Sequence, residues 1–459
     1  MKVDLLLKNA EIFNGEGLYR GCLGISKGKI VSLGQNNVTG VEELDVKGAW
    51  ILPGGIETHA HIREPELTQR GDFASESIAA AAGGITIFFE MPISAPPQAT
   101  VEILHQREQI AAKKSCVDFA FYGAAAGGVQ NIYELAQAGV IGFKIFLFDV
   151  NGPRAKEFIA STATDDGVLI EIMQAVAATG KILAVHAENG PIASWYTRRL
   201  QNEPQRSPLQ LHAQSRPSVC EVQAVEKIIR FAREYGTRVS FCHISCNDSM
   251  HLIARAKAEG LDVYAETCPQ YLYLDYERAD QLGYGPYAKY NPPIRSCAER
   301  KQLWKWLYRG QFDYVGSDHG AFLPEEKLPG EKNIFKAPAG NVGFETRLPL
   351  MLESVLNGNL TLKDVVQLTS ANAARVFGLY PQKGALLPGS DADLVVVDPR
   401  IEVCPSCENT LSHGKAIARL YEQWRLHGKI LHTLVRGKFV FKDGAPIPCM
   451  QGWGREVLV

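Results

Sequence analysis

The sequence predicts an α/β fold, a parallel (β/α)8 TIM barrel joined to a small β-sandwich domain built from both termini. Three observations predict it. Residues 51–384 alternate short apolar, β-branched runs with longer amphipathic stretches about eight times, the pattern of strand, helix, strand. Residues 1–50 and 385–459 share a different texture of short strands and turns, as one small domain made from both ends would. Polar residues with useful chemistry follow directly on the apolar runs of the middle region, where a barrel gathers its strand ends on one rim.

At 459 residues the chain is long enough for one large domain with a smaller companion. Hydrophobic residues at 46% and charged residues at 21% fit a soluble globular protein. The formal net charge of −2 provides no global field for nucleic acid or an anionic membrane, which leaves small-molecule substrates. Met1-Lys2-Val3-Asp4-Leu5 lacks a basic segment followed by an apolar run, and no stretch approaches the ~18 apolar residues of a spanning helix. Ten cysteines are scattered without the spacing of a disulfide scaffold, so a reduced, cytoplasmic protein is expected. Cys404-Pro-Ser-Cys407 has no second pair at zinc-finger spacing and reads as a loop with two free thiols.

In chain order, strands are expected at Asp4–Lys8, Gly21–Ser26, Lys29–Leu33 and Glu43–Val46, and again at Ala392–Asp398, Lys429–Gly437 and Phe439–Lys442. Between them, Pro53-Gly54-Gly55 marks the passage into a new domain. Barrel strands are expected at Ile85–Glu90, Asp118–Tyr122, Ile141–Phe146, Ile182–Val185, Arg238–Cys242, Asp262–Glu266 and Tyr314–Gly316. Helical periodicity falls between them, for example over Val219–Tyr235 and Ser249–Glu259.

The chemistry sits at the ends of these runs. In Glu57-Thr58-His59-Ala60-His61 the two histidines are two apart, so on a strand both face one side. Lys144 closes the run Val140-Ile141-Gly142-Phe143, His186 follows Leu183-Ala184-Val185, His243 follows Phe241-Cys242, and Asp318 follows Val315-Gly316-Ser317. Singly, each has an ordinary reading as a core histidine, a surface lysine or a helix cap. Jointly, imidazoles and a carboxylate suit zinc or a similar divalent ion with positions left for water and substrate. Lysine cannot ligate as an ammonium. A neutral amine buried between two cations can add carbon dioxide and become an anionic carbamate that bridges both metals.

With these residues assembled, the chain resembles the amidohydrolase superfamily, and within it the cyclic amidohydrolases: hydantoinases, dihydropyrimidinases, allantoinases and dihydroorotases. The resemblance runs from Pro53-Gly54-Gly55 to Gly389-Ser390-Asp391-Ala392-Asp393-Leu394. It implies two divalent metal ions, zinc with manganese or cobalt as alternatives. His59, His61, Lys144 and Asp318 would hold one, and N6-carboxylated Lys144, His186 and His243 the other. Glu57 stands where the family more often has Asp, which bears on fine positioning only.

His61-Ile62-Arg63-Glu64-Pro65 is similar to dihydroorotases, in which the Arg binds a substrate carboxylate, but their companion Asn is here Ile93. Dihydropyrimidinases and D-specific hydantoinases have a substrate-binding Tyr where this chain has Asp149. Gly142-Phe143-Lys144, Ala187-Glu188-Asn189 and Phe377-Gly378-Leu379-Tyr380-Pro381 are similar to allantoinases, although Gln270 replaces their usual His. Glu90-Met91-Pro92-Ile93, Gly316-Ser317-Asp318-His319-Gly320 and Gly343-Phe344-Glu345-Thr346-Arg347-Leu348-Pro349 resemble L-specific hydantoinases most.

The resemblance implies hydrolysis of a cyclic amide, a 5-substituted hydantoin opening to an N-carbamoyl amino acid. Allantoin to allantoate is the alternative, then dihydroorotase chemistry; a non-catalytic dihydropyrimidinase-like assembly protein is a different class. Two cations depress the pKa of water from ~15.7 towards ~7, so no serine or cysteine nucleophile is needed. Asp318 would be both ligand and proton shuttle. Arg63, Asn291 and Asn341 are expected to contact substrate. Arg63 has a second reading as a structural pair to Glu64 in place of an anion clamp, and the two asparagines as turn formers beside Pro or Gly. His319 is expected to orient the site and not to bind metal. Relatives of this kind are commonly homotetramers or dimers.

Overall fold

The computed structural model describes residues 1–34, 37–150, 152, 154–201 and 206–459. Five strands open the chain: β1 (Lys2–Phe13), β2 (Leu18–Ser26), β3 (Lys29–Leu33), β4 (Thr39–Asp45) and β5 (Trp50–Pro53). Nine follow: β6 (Gly55–His61), β7 (Ile85–Glu90), β8 (Asp118–Ala124), β9 (Gly142–Phe146), β10 (Ile182–His186), β11 (Arg238–Phe241), β12 (Val263–Thr267), β13 (Tyr314–Val315) and β14 (His319–Gly320). The last four are β15 (Leu394–Val403), β16 (Leu426–Val435), β17 (Lys438–Lys442) and β18 (Ala445–Pro446).

The strands of both chain ends form one connected sheet in the order β18-β17-β16-β15-β5-β1-β2-β3, with β4 attached to β1. The expected pair of sandwiched sheets is thus a single hydrogen-bonded path. Its branch point is physical. β1 pairs with β4 over Lys2–Lys8 and with β5 at Glu11 and Ile12, and its register against β2 slips between Leu7 and Ala10. Asn9 takes φ 54° in that slip, a left-handed conformation that Asn tolerates, so one strand bends and serves two neighbours. Leu5, Leu7, Ile12, Ile51, Val396 and Leu434 make a small core of their own there.

The other sheet has the order β13-β12-β11-β10-β9-β8-β7-β6-β14, and every pairing in it is parallel. Its strands β7 to β10 are buried on both faces, as a parallel sheet covered by helices requires. The sheet curls as a TIM-barrel-like domain would, and its two ends are only three residues apart in sequence. β13 pairs with β12, β14 pairs with β6, and Gly316-Ser317-Asp318 lies between them. The strand expected at Tyr314–Gly316 is β13, one residue shorter, and β14 is a second short piece beyond it. Ser317 N donates to the Glu57 carboxylate at 3.0 Å, and Asp318 takes φ 53°, which interrupts the strand and turns the chain.

Helices cover the outside. Ser218–Tyr235 and Asn247–Ala258 lie within a residue or two of the expected ranges. The first ends at Gly236 with φ 69°, a left-handed cap that suits glycine. The two sheets are pinned by a buried ion cluster. Lys383 Nζ lies 2.7 Å from Asp118 Oδ2 of β8 and 2.5 Å from Asp393 Oδ2, while Arg436, just after β16, also pairs with Asp118.

Candidate metal centre

The polar ends of the parallel strands converge. His59 and His61 close β6, Lys144 lies in β9, His186 closes β10, His243 follows β11 and Asp318 precedes β14; all are buried except Asp318, which is half-buried. Asp318 Oδ1 lies 3.1 Å from His61 Nε2 and 3.3 Å from His59 Nε2. His186 Nδ1 lies 3.0 Å from His243 Nε2, and the rings of His59 and His243 are 5.1 Å apart. Lys144 Nζ sits among them, 3.0 Å from Cys242 Sγ and 4.8 Å from the centre of the Phe146 ring. Two of these residues pay in backbone strain. His243 at φ 40° and Asp318 at φ 53° occupy the left-handed region, which costs about 1–3 kcal/mol each. Strain of that kind persists only where the surrounding structure holds it, and here it aims both side chains inward.

Carboxylates outside the cluster hold two of the four imidazoles by their far nitrogens. His59 Nδ1 meets Glu266 Oε1 at 2.8 Å, which leaves Nε2 facing Asp318. His186 Nε2 meets Glu188 Oε2 at 2.8 Å, which leaves Nδ1 facing His243. Glu266 also accepts from Thr58 Oγ1 and His243 N, and Arg216 grips Glu188 through Nε and Nη2. Glu57 accepts from the backbone of His59 and Ser317 and lies 3.4 Å from Arg347 Nη1, so it ties β6 to the Asp318 turn.

Residues 50–440 match the model of the Amidohydrolase family. The chain belongs to the amidohydrolase family. Among amidohydrolase-like proteins it is 34% identical to an L-hydantoinase of Paenarthrobacter aurescens over 99% of this chain and 98% of that protein. It is 36% identical to an allantoinase of Rubrobacter xylanophilus over 96% of this chain and 95% of that protein. A solved structure of the L-hydantoinase (dihydropyrimidinase) from Arthrobacter aurescens superposes with a TM-score of 0.92 at 33% identity, covering 100% of both chains.

The donor set suits the divalent metal of an amidohydrolase. One ligand atom from each of His59, His61 and Asp318 lies within 4.8 Å of the others. Burial lowers the pKa of His59 to about 3, aided by the nearby Lys144 charge, and lowers those of His61, His243 and His186 as well. Neutral imidazoles keep a lone pair for a cation. His59 Nε2, His61 Nδ1 and His243 Nδ1 are buried with no hydrogen-bond partner among the described residues, an arrangement that is costly unless something else satisfies it. Burial raises the Asp318 pKa against the pull of His59 and Lys144. At Glu188 burial opposes ionisation, but Arg216 and His186 outweigh it and hold the carboxyl well below the usual range.

The cluster opens into a cleft of about 90 Å³ lined by His59, His61, Arg63, His186, His243, Asn291 and Asp318, with Ile93, Phe146, Phe148 and Phe158 as its apolar side. Phe148, Arg154, Phe158, Asn291 and Ala339 also line a larger vestibule of about 980 Å³.

The three residues expected at substrate divide. Asn291 lines the cleft, and its Oδ1 is buried without a partner. Arg63 lines it too, but its structural partner is not Glu64. Nη1 donates to Ala321 O at 2.9 Å and Nε lies 3.3 Å from Glu157 Oε2, whereas Glu64 pairs with Lys114. Asn341 is a correction. Its Nδ2 donates to Tyr287 O and Ile417 O and its Oδ1 accepts from Val342 N, so the side chain is spent on the backbone and does not line the cleft. His319 is likewise committed, to Glu76 at 2.9 Å and to Gly343 N at 3.1 Å, with its ring stacked 3.7 Å from Phe344. Cys404 is exposed and Cys407 half-buried, and both are free thiols.

Sequence reasoning passed over Glu266, Glu188 and Cys242. The signal for each was available. Glu188 stands two residues after His186 and Cys242 one before His243, and Glu266 closes an expected strand like the others.

Proposed function

We propose that this protein opens a cyclic amide or ureide ring by hydrolysis, taking a 5-substituted hydantoin to an N-carbamoyl amino acid. The observation that carries the reading is the meeting of four neutral imidazoles and the Asp318 carboxylate around Lys144 in one buried cleft. Relatives named L-hydantoinase and D-hydantoinase, similar over nearly the whole chain, support it.

In this reading residues 51–384 form a closed (β/α)8 barrel, and residues 1–50 with 385–459 form the companion domain. The protein is cytoplasmic and assembles as a homotetramer or dimer. No helix among the described residues is long and apolar enough to cross a membrane. His59, His61, Lys144 and Asp318 hold one divalent ion, and Lys144, His186 and His243 the other, with Lys144 carboxylated on Nζ. Zinc fits this donor set, with manganese or cobalt as alternatives. When bound, the ions supply Lewis acidity and lower the pKa of water towards about 7.

The side chains do the rest. Asp318 takes a proton from water as the new C–O bond forms at the ring carbonyl, then returns it to the ring nitrogen as the C–N bond breaks. Glu266 and Glu188 keep His59 and His186 in one tautomer and one orientation. Arg63 and Asn291 hold the polar edge of the ring, and Phe146, Phe148 and Phe158 exclude water beside it.

Allantoin opening is the second reading, favoured by the 36% identity to an allantoinase, and it shares every step above. Dihydroorotase chemistry, with Arg63 on a substrate carboxylate, comes third. Catalytic efficiencies on hydantoin, 5-substituted hydantoins of both hands, allantoin, dihydrouracil and dihydroorotate test the order. The highest value is expected on a 5-substituted hydantoin. A clear preference for allantoin replaces the first reading with the second, and a metal-loaded protein inert on all six substrates supports a non-catalytic assembly role.

A further inference from the structure

We propose that Cys242 is a positioning residue for Lys144, fixing the rotation of its side-chain nitrogen so that the carboxylated form faces both halves of the ligand cluster. The inference rests on the carboxylated-lysine reading above. Two observations carry it. Lys144, in β9, and Cys242, just after β11, reach past the intervening β10, and Nζ donates to Sγ at 3.0 Å with both residues buried. Independently, one ligand atom from each of His59, Cys242 and Glu266 lies within 4.8 Å of the others, which puts the thiol against the ligand cluster itself. Among the described residues Nζ has no carboxylate within ion-pair distance, so a neutral thiol is its hydrogen-bond partner.

The chemistry gives that contact a task. Carboxylation joins the Nζ lone pair to the carbon of carbon dioxide, releases one proton to solvent and leaves R–NH–COO⁻. The product is planar, like any amide-type C–N unit, and keeps one N–H. The direction of that N–H therefore fixes the plane of the group and the directions of both oxygens. An acceptor on it selects one rotation about the Cε–Nζ bond, and sulfur can serve as a weak acceptor. Removing the acceptor leaves the oxygens free to turn away from His59 and Asp318 on one side or His186 and His243 on the other. Partners of this kind typically contribute 10- to 100-fold to metal affinity.

The test compares the unaltered protein with Cys242→Ala and Cys242→Ser, each prepared with ¹³C-bicarbonate and checked for folding by circular dichroism. The carbamate carbon is read by ¹³C NMR and zinc affinity by competition with a chelator. The unaltered protein is expected to show the carbamate signal, Cys242→Ala to lose most of it together with 10- to 100-fold in zinc affinity, and Cys242→Ser, whose hydroxyl also accepts, to recover both. Unchanged carbamate and affinity in Cys242→Ala overturn the role of Cys242 alone. No carbamate in the unaltered, metal-loaded protein overturns the carboxylated-lysine reading and this inference with it. Should Cys242→Ala not fold, equal losses in a folded Cys242→Ser overturn the acceptor role. An intense sulfur-to-cobalt charge-transfer band in the cobalt-loaded protein would make Cys242 a ligand and also overturn it.

Discussion

Glu188 Oε2 lies 2.8 Å from His186 Nε2, two residues earlier in the chain, and that one contact decides which imidazole nitrogen is left to face His243. Arg216 holds the carboxylate in turn, so the orientation is passed from a guanidinium to a carboxylate to a ring. Glu188→Gln keeps the shape and removes the charge. Metal affinity is expected to fall about 10- to 100-fold, read by chelator competition, with little change in the denaturation midpoint. Unaltered affinity would show that the Glu188 charge does not tune the site.

Lys144→Ala is expected to abolish turnover and metal binding together, because the proposed bridge is lost from both metals at once. Activity assays and elemental analysis of the same dialysed sample check it. Normal turnover in this variant would remove Lys144 from the mechanism.

Dialysis against a strong chelator is expected to leave a folded protein without hydrolase activity, and zinc, manganese or cobalt to restore it. Folding survives in this prediction because the parallel sheet rests on a large apolar core in which β7 to β10 are buried along their whole length. Circular dichroism and activity before and after metal addition provide the measurement.

Lys383 is expected to matter for stability and not for chemistry. It pairs with Asp118 and Asp393 where the two sheets meet, with all three side chains buried. Lys383→Met leaves two carboxylates in a poorly solvated place with Arg436 and the Arg455 N–H as their remaining partners. A loss of about 3–5 kcal/mol is expected from urea unfolding, the usual cost of breaking a buried pair from one side.

Glu345 gives a pH signature. Burial pushes its pKa up to about 7, only partly offset by the Leu411 and Ser412 N–H groups that it accepts from. An unfolded glutamate titrates near 4.3, so folding favours the protonated form. Its contribution to stability is full below about pH 4 and is lost as pH rises through about 7. Glu345→Gln is therefore expected to gain in denaturation midpoint relative to the unaltered protein on going from pH 5 to pH 8. A constant difference across that range would contradict the shift.

The sequence by itself determined the alternation of apolar runs and amphipathic stretches, and with it the parallel sheet and the placing of His59, His61, His186 and His243 at strand ends, whereas Lys144, expected at an end, lies in the middle of β9. Local spacing suffices there, because strand periodicity and burial are written into neighbouring residues. It also separated the β-rich ends of the chain from the middle, since turn and strand chemistry is local.

Tertiary structure alone decided the rest, because those choices depend on contacts between residues hundreds of positions apart. The break of the last parallel strand into β13 and β14 follows from the capture of Ser317 N by Glu57, 260 positions away. The tautomer of His59 follows from Glu266, 207 positions away, and the exclusion of Asn341 from the cleft follows from the carbonyls of Tyr287 and Ile417. A side chain's partners are set by which surfaces the fold brings together, and residue spacing along the chain carries no record of that until the sheet has curled.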